Sequence, residues 1–195
     1  MKKLKEICTL TSGSIITRLT ADKIRGEVAN DIGRRTIVSK TVEKGYISDS
    51  DIVINDYKEI PNNNKLTKEG DIVIKLAAPY RAALIDKEHE GMFISSFCSV
   101  IRNLSIEVNP FYLIAYLNSD VCVAQLESRA VGSAMRMLSN GKLGDLPVPI
   151  PDAETQKEIG DYFKKSINNI VLLEKITKLE QEKLNALINS KCEVK

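Results

Sequence analysis

The sequence predicts an α+β fold, a globular domain with a mixed or antiparallel sheet and short helices, followed by one long C-terminal coiled-coil helix. Three observations predict it. Short β-branched runs such as Ile72-Val73-Ile74-Lys75-Leu76 are punctuated by turn residues throughout residues 1–151. Two short helical patterns follow Asn109 and Asp120. After Pro151, the apolar positions Ile159, Phe163, Ile167, Ile170, Leu173, Ile176, Leu179, Leu184 and Leu187 cover 28 residues in eight steps, a mean of 3.5. That spacing is nearer a coiled-coil seam than a lone surface helix. At about 1.5 Å per residue, some 35 residues project roughly 50 Å, more than a small domain covers, so the helix expects a partner.

The elements follow in order. Lys2 to Cys8 reads as a short helical or extended start, and Thr11-Ser12-Gly13-Ser14 as a turn. Thr36 to Ser39 and Asp51 to Ile54 read as short strands, and Pro61 to Asn64 as a loop. Gly70-Asp71 launches the strand Ile72 to Leu76; Ala82 to Ile85 and Met92 to Ile101 continue the sheet around a Lys87-to-Gly91 turn. Asn109 before Pro110 is a helix start, with Phe111 to Leu117 as the apolar body, and Asp120 is expected to cap the next helix through Leu126. A Gly/Ser loop and the proline-rich strand Leu146 to Pro151 then lead into the long helix. The expected division is 1–151 for the globular domain and 152–195 for the helix.

Composition narrows the function. The 195 residues carry 43% hydrophobic and 28% charged side chains, enough for one ordinary core plus an appendage. Without an apolar run of 18 residues or a signal-like start, the expectation is cytoplasmic residence and no membrane partner. Four separated cysteines and one histidine, His89, argue against structural zinc and a disulfide framework. The net charge of +2 does not announce a nucleic-acid binder, so local pattern must carry that case. Gly33 to Ser48 holds Arg34, Arg35, Lys40 and Lys44 against Glu43, and Ser128 to Leu143 holds Arg129, Arg136 and Lys142 with no acid. From Asp152 onward, eight acids and eight bases cancel, as on a solvated packing helix.

The order of several pieces resembles one half of a specificity subunit of a type I restriction-modification system. They are Leu4-Lys5-Glu6-Ile7 with Leu10-Thr11-Ser12-Gly13, Gly70-Asp71-Ile72-Val73-Ile74, Asn109-Pro110-Phe111-Tyr112-Leu113 through Leu117-Asn118-Ser119, Ala130-Val131-Gly132-Ser133 before Leu138-Ser139, and Leu146-Pro147-Val148-Pro149-Ile150-Pro151 leading to Gln156-Lys157-Glu158-Ile159. The resemblance implies a non-catalytic DNA target-recognition domain with a helix for dimerisation and methyltransferase docking. It implies double-stranded DNA, methyltransferase subunits and a restriction subunit as partners, with S-adenosylmethionine bound by the methyltransferase and no cofactor by this chain. Family members normally carry two recognition domains and two antiparallel helices. This chain has one of each, which points to a homodimer through an antiparallel helix pair and to a bipartite, palindromic site. The alternative is an adaptor without DNA binding, or an exchangeable half that pairs with a longer specificity subunit. At the helix start, Pro151-Asp152-Ala153-Glu154-Thr155-Gln156 departs from the family's usual Pro-Pro-Leu-x-Glu-Gln step by an extra residue between Glu and Gln.

Recognition needs cations for phosphates and a few hydrogen-bonding side chains for base edges. Arg34, Arg35, Lys40 and Lys44 form one candidate edge, with Arg129, Arg136 and Lys142 around Gly132-Ser133 as another. Surface cations are usually just solvated. Lys75 and Arg81 interrupt apolar surroundings and must reach water or a partner, by snorkelling or by contact with DNA. Ser133 offers a flexible amide for a phosphate, though a Gly-Ser connection is the commoner role. His89, among Lys87, Glu88 and Glu90, is expected to face solvent, and Cys98 to be a small buried hydrophobe. A Cys98–His89 nucleophile pair has no orienting third group, and no Asn-Pro-Pro-Tyr methylation motif is present.

Overall fold

The structure, a computed structural model, describes residues 1–16, 33–56, 65–130 and 137–192, with Arg34, Asn55 and Asp56 described by backbone alone. Strand β5 (Ile72–Lys75) lies at its centre, and all four of its residues are buried. It pairs antiparallel with β6 (Ala82–Leu84) on one side and β8 (Cys98–Arg102) on the other, and β8 pairs antiparallel with β2 (Thr9–Ser12). Side chains of a strand alternate between faces, so β5 feeds two cores. Ile72 and Ile74 join Leu4, Ile7, Leu113, Leu117 and Leu126, while Val73 joins Ile37, Val42, Ile85 and Val100. A strand buried on both faces reads as continuous apolar sequence, which is why this element was legible.

The second core is closed by a smaller sheet. Strand β3 (Gly33–Ile37) pairs antiparallel with β4 (Val53–Asp56) and parallel with β7 (Phe93–Ile94). The first core is roofed by helices α2 (Pro110–Leu117) and α3 (Asp120–Ala130). At one margin of the domain, β1 (Lys2–Lys3) pairs with β9 (Pro147–Val148), and the Leu4 amide of α1 (Leu4–Ile7) donates to the Leu146 carbonyl at 2.9 Å. The start of the domain is thereby tied to the proline-rich strand, which follows α4 (Asn140–Gly144). From that strand the chain enters α5 (Ala153–Cys192), 40 residues long.

Several local expectations hold and several are corrected. Asn109 caps α2, its Oδ1 accepting from the Phe111 and Tyr112 amides at 2.9 and 3.2 Å. Thr11 and Ser12 are strand rather than turn, because β8 pairs with them. The Met92-to-Ile101 run breaks at Ser95–Phe97, sending β7 to one sheet and β8 to the other. Asp120 lies inside the first turn of α3; the Ser119 hydroxyl, accepting from the Cys122 amide at 3.3 Å, supplies the cap. The Pro61-to-Asn64 loop lies outside the described residues.

One buried ion pair holds β5 to β8 at their shared end. Arg102 Nη2 lies 2.5 Å and Nε 2.7 Å from the Asp71 carboxylate, and Nη2 also donates to the Leu66 carbonyl. The Asp71 contact raises the Arg102 pKa further. Removing the carboxylate leaves a guanidinium whose side chain is only 12% exposed without its countercharge. Asp71→Ala is therefore expected to cost about 3 kcal/mol, the usual penalty for breaking a buried pair. Urea unfolding checks it, as a lowered midpoint with an unchanged slope.

Candidate nucleic-acid interface

Of the candidate cations, Lys75 and Arg81 meet at one end of the central sheet, joined by a backbone link. The Lys75 amide donates to the Arg81 carbonyl at 2.9 Å across the β5–β6 turn, and the Leu138 amide donates to the Leu76 carbonyl at 2.7 Å. Asn118 buttresses this turn: its Oδ1 accepts from the Ala82 amide, and its Nδ2 donates to the Ala82 and Ile114 carbonyls. Sequence reasoning quoted Asn118 only as part of a motif. Its signal was a polar residue closing the apolar helix α2, where a helix C-terminus leaves orphan carbonyls.

Each cation has a distinct surrounding. Lys40 is exposed and pairs with Asp51 at 3.1 Å. Arg81 pairs with Glu43. Lys75 is 6% exposed, so its ammonium is not displayed at the surface; burial lowers its pKa, against the milder opposing pull of Cys98 and Asp51. Lys44 is exposed. Arg35 lies on the other flank, its Nη2 2.5 Å from Asp49 Oδ1 and its Nη1 donating to the Glu88 carbonyl at 3.0 Å. Arg34 stands in β3 opposite Asn55. Arg129 Nη1 donates to the Gln125 carbonyl, and Lys142 Nζ donates to the Arg129 carbonyl at 2.7 Å. Both thus satisfy carbonyls in the last turns of α3, where positive charge suits the helix dipole. Ser133 and Arg136 lie outside the described residues.

His89 overturns the expectation of a solvent-facing histidine, since it is 4% exposed. Its Nδ1 donates to Asp86 Oδ1 at 2.6 Å, and its Nε2 lies 3.4 Å from Asp49 Oδ1. The chain Arg35–Asp49–His89–Asp86 fixes the turn before β7; Asp86 also caps that turn by accepting from the His89 amide. Burial pushes the Cys98 thiol up to about 12, with Lys75 opposing weakly, and Cys8 and Cys122 are likewise about 12. A nucleophilic thiol needs the opposite shift, so Cys98 acts as a core residue.

Helix α5 begins docked on this domain. Asp152 caps it, Oδ1 accepting from the Thr155 amide at 2.9 Å, and the Thr155 contacts hold the Asp152 carboxyl below its usual range. Gln156, 3% exposed, accepts from the Asn109 amide through Oε1 and donates to the Glu107 and Pro151 carbonyls through Nε2. Gly160 lets the helix close on α2: a Cβ there would meet Asn109 Oδ1 at 3.1 Å and Phe111 Cβ at 3.2 Å. Lys164 Nζ sits 4.9 Å from the Phe111 ring centroid, a cation–π contact. Further along, Phe163 packs against the first core and Ile167 against Gly45. These two members of the apolar repeat therefore face their own domain. Ile159, Ile170, Leu173, Ile176, Leu179, Leu184 and Leu187 are exposed.

Between α5 and the domain runs an open groove of about 560 Å³. Phe111, Phe163, Ile167 and Val171 form an apolar part, with Asp49, Asp86 and Glu88 on the domain side and Lys164 and Lys175 on the helix. Tyr46 crosses to α5, its hydroxyl donating to Glu174 Oε1 at 2.6 Å. Among the described residues, no group of three or more His, Cys, Asp or Glu is placed to hold a metal, and no helix is long and apolar enough to cross a membrane.

Fold and site together define a class: an α+β module with a cationic rim, joined through a fixed junction to a projecting helix. The match that places the chain is to the type I restriction modification DNA specificity domain, over residues 1–181; the chain belongs to this family. The fold agrees. The HsdS subunit from Thermoanaerobacter tengcongensis superposes with a TM-score of 0.61 at 16% identity, over 97% of this chain and 47% of that one. A chain from a structure on complex assembly and conformational transition of the type I R-M system gives 0.58 at 15% identity, over 96% of this chain and 43% of that one. This chain therefore spans about half the length of the solved structures it matches. No curated protein matches it.

The Tyr46–Glu174 contact yields a test of helix docking. Burial first, and then Glu174, push the Tyr46 phenol up to about 12. A raised acid favours the folded state while neutral, so its contribution is present below about pH 10 and lost as pH rises toward 12. Tyr46→Phe is expected to melt below the wild type at pH 8, with the gap in Tm closing between pH 10 and 12.

Proposed function

We propose that this chain is a sequence-specific DNA-binding specificity subunit, which directs partner methyltransferase subunits to a bipartite and palindromic site. The observation that supports this reading is the family match over residues 1–181 on a chain whose described part divides into one module with a cationic rim and one projecting helix. In the proposed complex the module holds the address, and partner subunits supply the chemistry with S-adenosylmethionine. The chain itself contributes no catalytic group. A restriction subunit joins the same assembly as a further partner.

The rim suits exchange of partners. Lys40 and Arg81 lie against the carboxylates of Asp51 and Glu43, and Arg35 against Asp49. A phosphate approaching such a pair replaces the carboxylate with another anion, so the cation is oriented before DNA arrives. The exposed Lys40–Asp51 and Arg35–Asp49 pairs contribute about 0–1 kcal/mol each, which makes exchange there inexpensive. Lys44 and the rim lysine Lys40 are then the readiest phosphate contacts. Lys75, from beneath, adds positive potential near Asp51 rather than a surface contact.

The same pairing favours one second reading, an adaptor or exchangeable half that uses the fold and helix without binding DNA. Salt separates the two. A DNA-binding module must lose affinity linearly in log salt, with a slope of about −0.9 per phosphate neutralised. Lys44→Glu is expected to weaken binding of a duplex carrying the site and to reduce the magnitude of that slope by about one unit, measured by fluorescence anisotropy. Single-base methylation maps of cells holding this chain, with and without its methyltransferase partner, supply the site. A new interrupted palindrome that requires both proteins is the expected pattern. Affinity that is absent at all salt concentrations, with an unchanged map, would select the adaptor.

A further inference from the structure

Four segments meet where β5 leaves the central sheet and β8 enters it: residues 12–16, 76–81, 95–97 and 137–142. Hydrogen bonds lace them together. Ser95 to Cys98 is a tight turn, closed by the Cys98 amide donating to the Ser95 carbonyl at 2.9 Å. The Ser96 amide donates to the Ser14 carbonyl at 2.8 Å, and the Ser14 amide to the Ile94 carbonyl at 2.7 Å. Glycine is required at position 13 of this crossing, because a Cβ there would overlap the Ser95 carbonyl. On the other side the Leu76 amide donates to the Phe97 carbonyl at 2.9 Å, and the Leu76 carbonyl accepts from the Leu138 amide. Asn140 Nδ2 completes the lacing by donating to the Ser12 hydroxyl at 2.9 Å.

This fixed end displays apolar side chains. Phe97 is 43% and Ile15 44% exposed, and Ala78 and Pro79 in the β5–β6 turn are exposed as well. Phe97 is the one exposed residue from Met92 to Val100, and its ring joins neither core. A ring held out of the core by a rigid turn is preorganised for contact with another molecule. Its surroundings indicate which kind. The four segments hold no Asp or Glu but do hold Arg81 and Lys142, and Lys75 lies buried beneath them. The Ser95 amide donates to the Ile37 carbonyl at 2.9 Å, so the exposed Lys40, three residues on, stands near the same turn. Glu43 and Asp51, which face Arg81 and Lys40, come from outside these segments. Cations around an apolar tip suit a polyanion whose grooves display the faces of bases and thymine methyl groups. An apolar protein surface would leave those cations unanswered.

We infer that Phe97 is a specificity-determining residue: the Ser95–Phe97 turn enters a groove of the duplex and the ring packs against bases, while Lys40 and Arg81 meet phosphates. This rests on the reading above that the module binds DNA, and adds the side chain that tells one sequence from another. The two kinds of contact separate by charge. A phenyl ring releases no counterion, so it contributes to sequence preference and leaves the salt slope alone, whereas a lysine on a phosphate does the reverse.

The test uses the full chain with two duplexes of equal length and composition, one carrying the site found by the methylation maps and one scrambled. Phe97→Ala, checked for an unchanged far-UV spectrum, is expected to lower the ratio of site to scrambled affinity about tenfold, the size of one lost base contact. Its salt slope on the scrambled duplex is expected to equal that of the wild type. The chain has no tryptophan, so Phe97→Trp places a single indole at the turn. Its emission is expected to be quenched on the site duplex as the ring packs against bases. A site duplex that binds, by anisotropy, with the indole unquenched overturns the inference and leaves DNA binding standing. So does a Phe97→Ala chain that discriminates as the wild type does, or one that loses affinity for both duplexes equally, which marks a merely structural role. Wild-type affinity for neither duplex at any salt, with an unchanged methylation map, overturns the DNA reading and this inference with it.

Discussion

The junction between α2 and α5 is the constraint on which the rest of the molecule depends. Gln156 is buried, and its amide makes three hydrogen bonds, one to the Asn109 amide and two to the carbonyls of Glu107 and Pro151. Leaving such an amide unsatisfied costs about 1–3 kcal/mol, so the side chain has one geometry and α5 has one exit direction. Gly160, one turn on, removes the side chain that would hold the two helices apart. Tyr112 and Tyr116 of α2 donate to the carbonyls of Pro149 and Pro147, so the same helix also fixes the strand that leads in. A strand without enough free amides to pair broadly is instead held by side chains.

With the exit direction fixed, α5 shows two different sides. Gly160, Phe163, Ile167 and Glu174 meet the domain, whereas Leu173, Ile176, Leu184 and Leu187 lie about a third of a turn around the helix. One amphipathic stripe would satisfy a helix that merely caps its domain. Two stripes on one helix mean two packing surfaces, and the second is open over the last three heptads of the described chain. The groove beside Val171 and Lys175 lies at the edge where the domain-facing side ends.

How much of this was legible follows from how local each cause is. Strand β5, the Asn109 cap and the length of α5 were readable because a run, a capping residue and a repeat are local signals. The two sides of α5 were not, because a 3.5-residue repeat sums positions that face the domain with positions that do not; Phe163 and Ile167 belong to one set and Leu173 onward to the other. His89 was misread for the same reason. Its neighbours Lys87, Glu88 and Glu90 are a solvent signature, but Asp49, the carboxylate that its buried Nε2 faces at 3.4 Å, comes from forty residues earlier. Of the candidate cations, the sequence named Lys40, Lys44 and Arg81 but gave no sign of the carboxylates from Asp51 and Glu43 that face two of them, and it grouped Arg81 with Lys75, which is buried.

Under the proposed function, those carboxylates bear on how a module with so small a net charge would read DNA. A rim of bare cations draws duplex of any sequence, because the phosphate contribution is independent of sequence. Pairing Arg35, Lys40 and Arg81 with acids lowers that background while keeping the cations oriented. The anion exchange then becomes favourable only where base contacts hold the module in register long enough for phosphates to replace several carboxylates together. On the proposed reading the effect would compound, since two modules held at a fixed separation on a bipartite site would make the second engagement intramolecular. On that reading a weakly charged module and a stiff helix are complementary: the first would keep a single half-site from binding tightly, and the second would make two half-sites at the correct spacing bind as one.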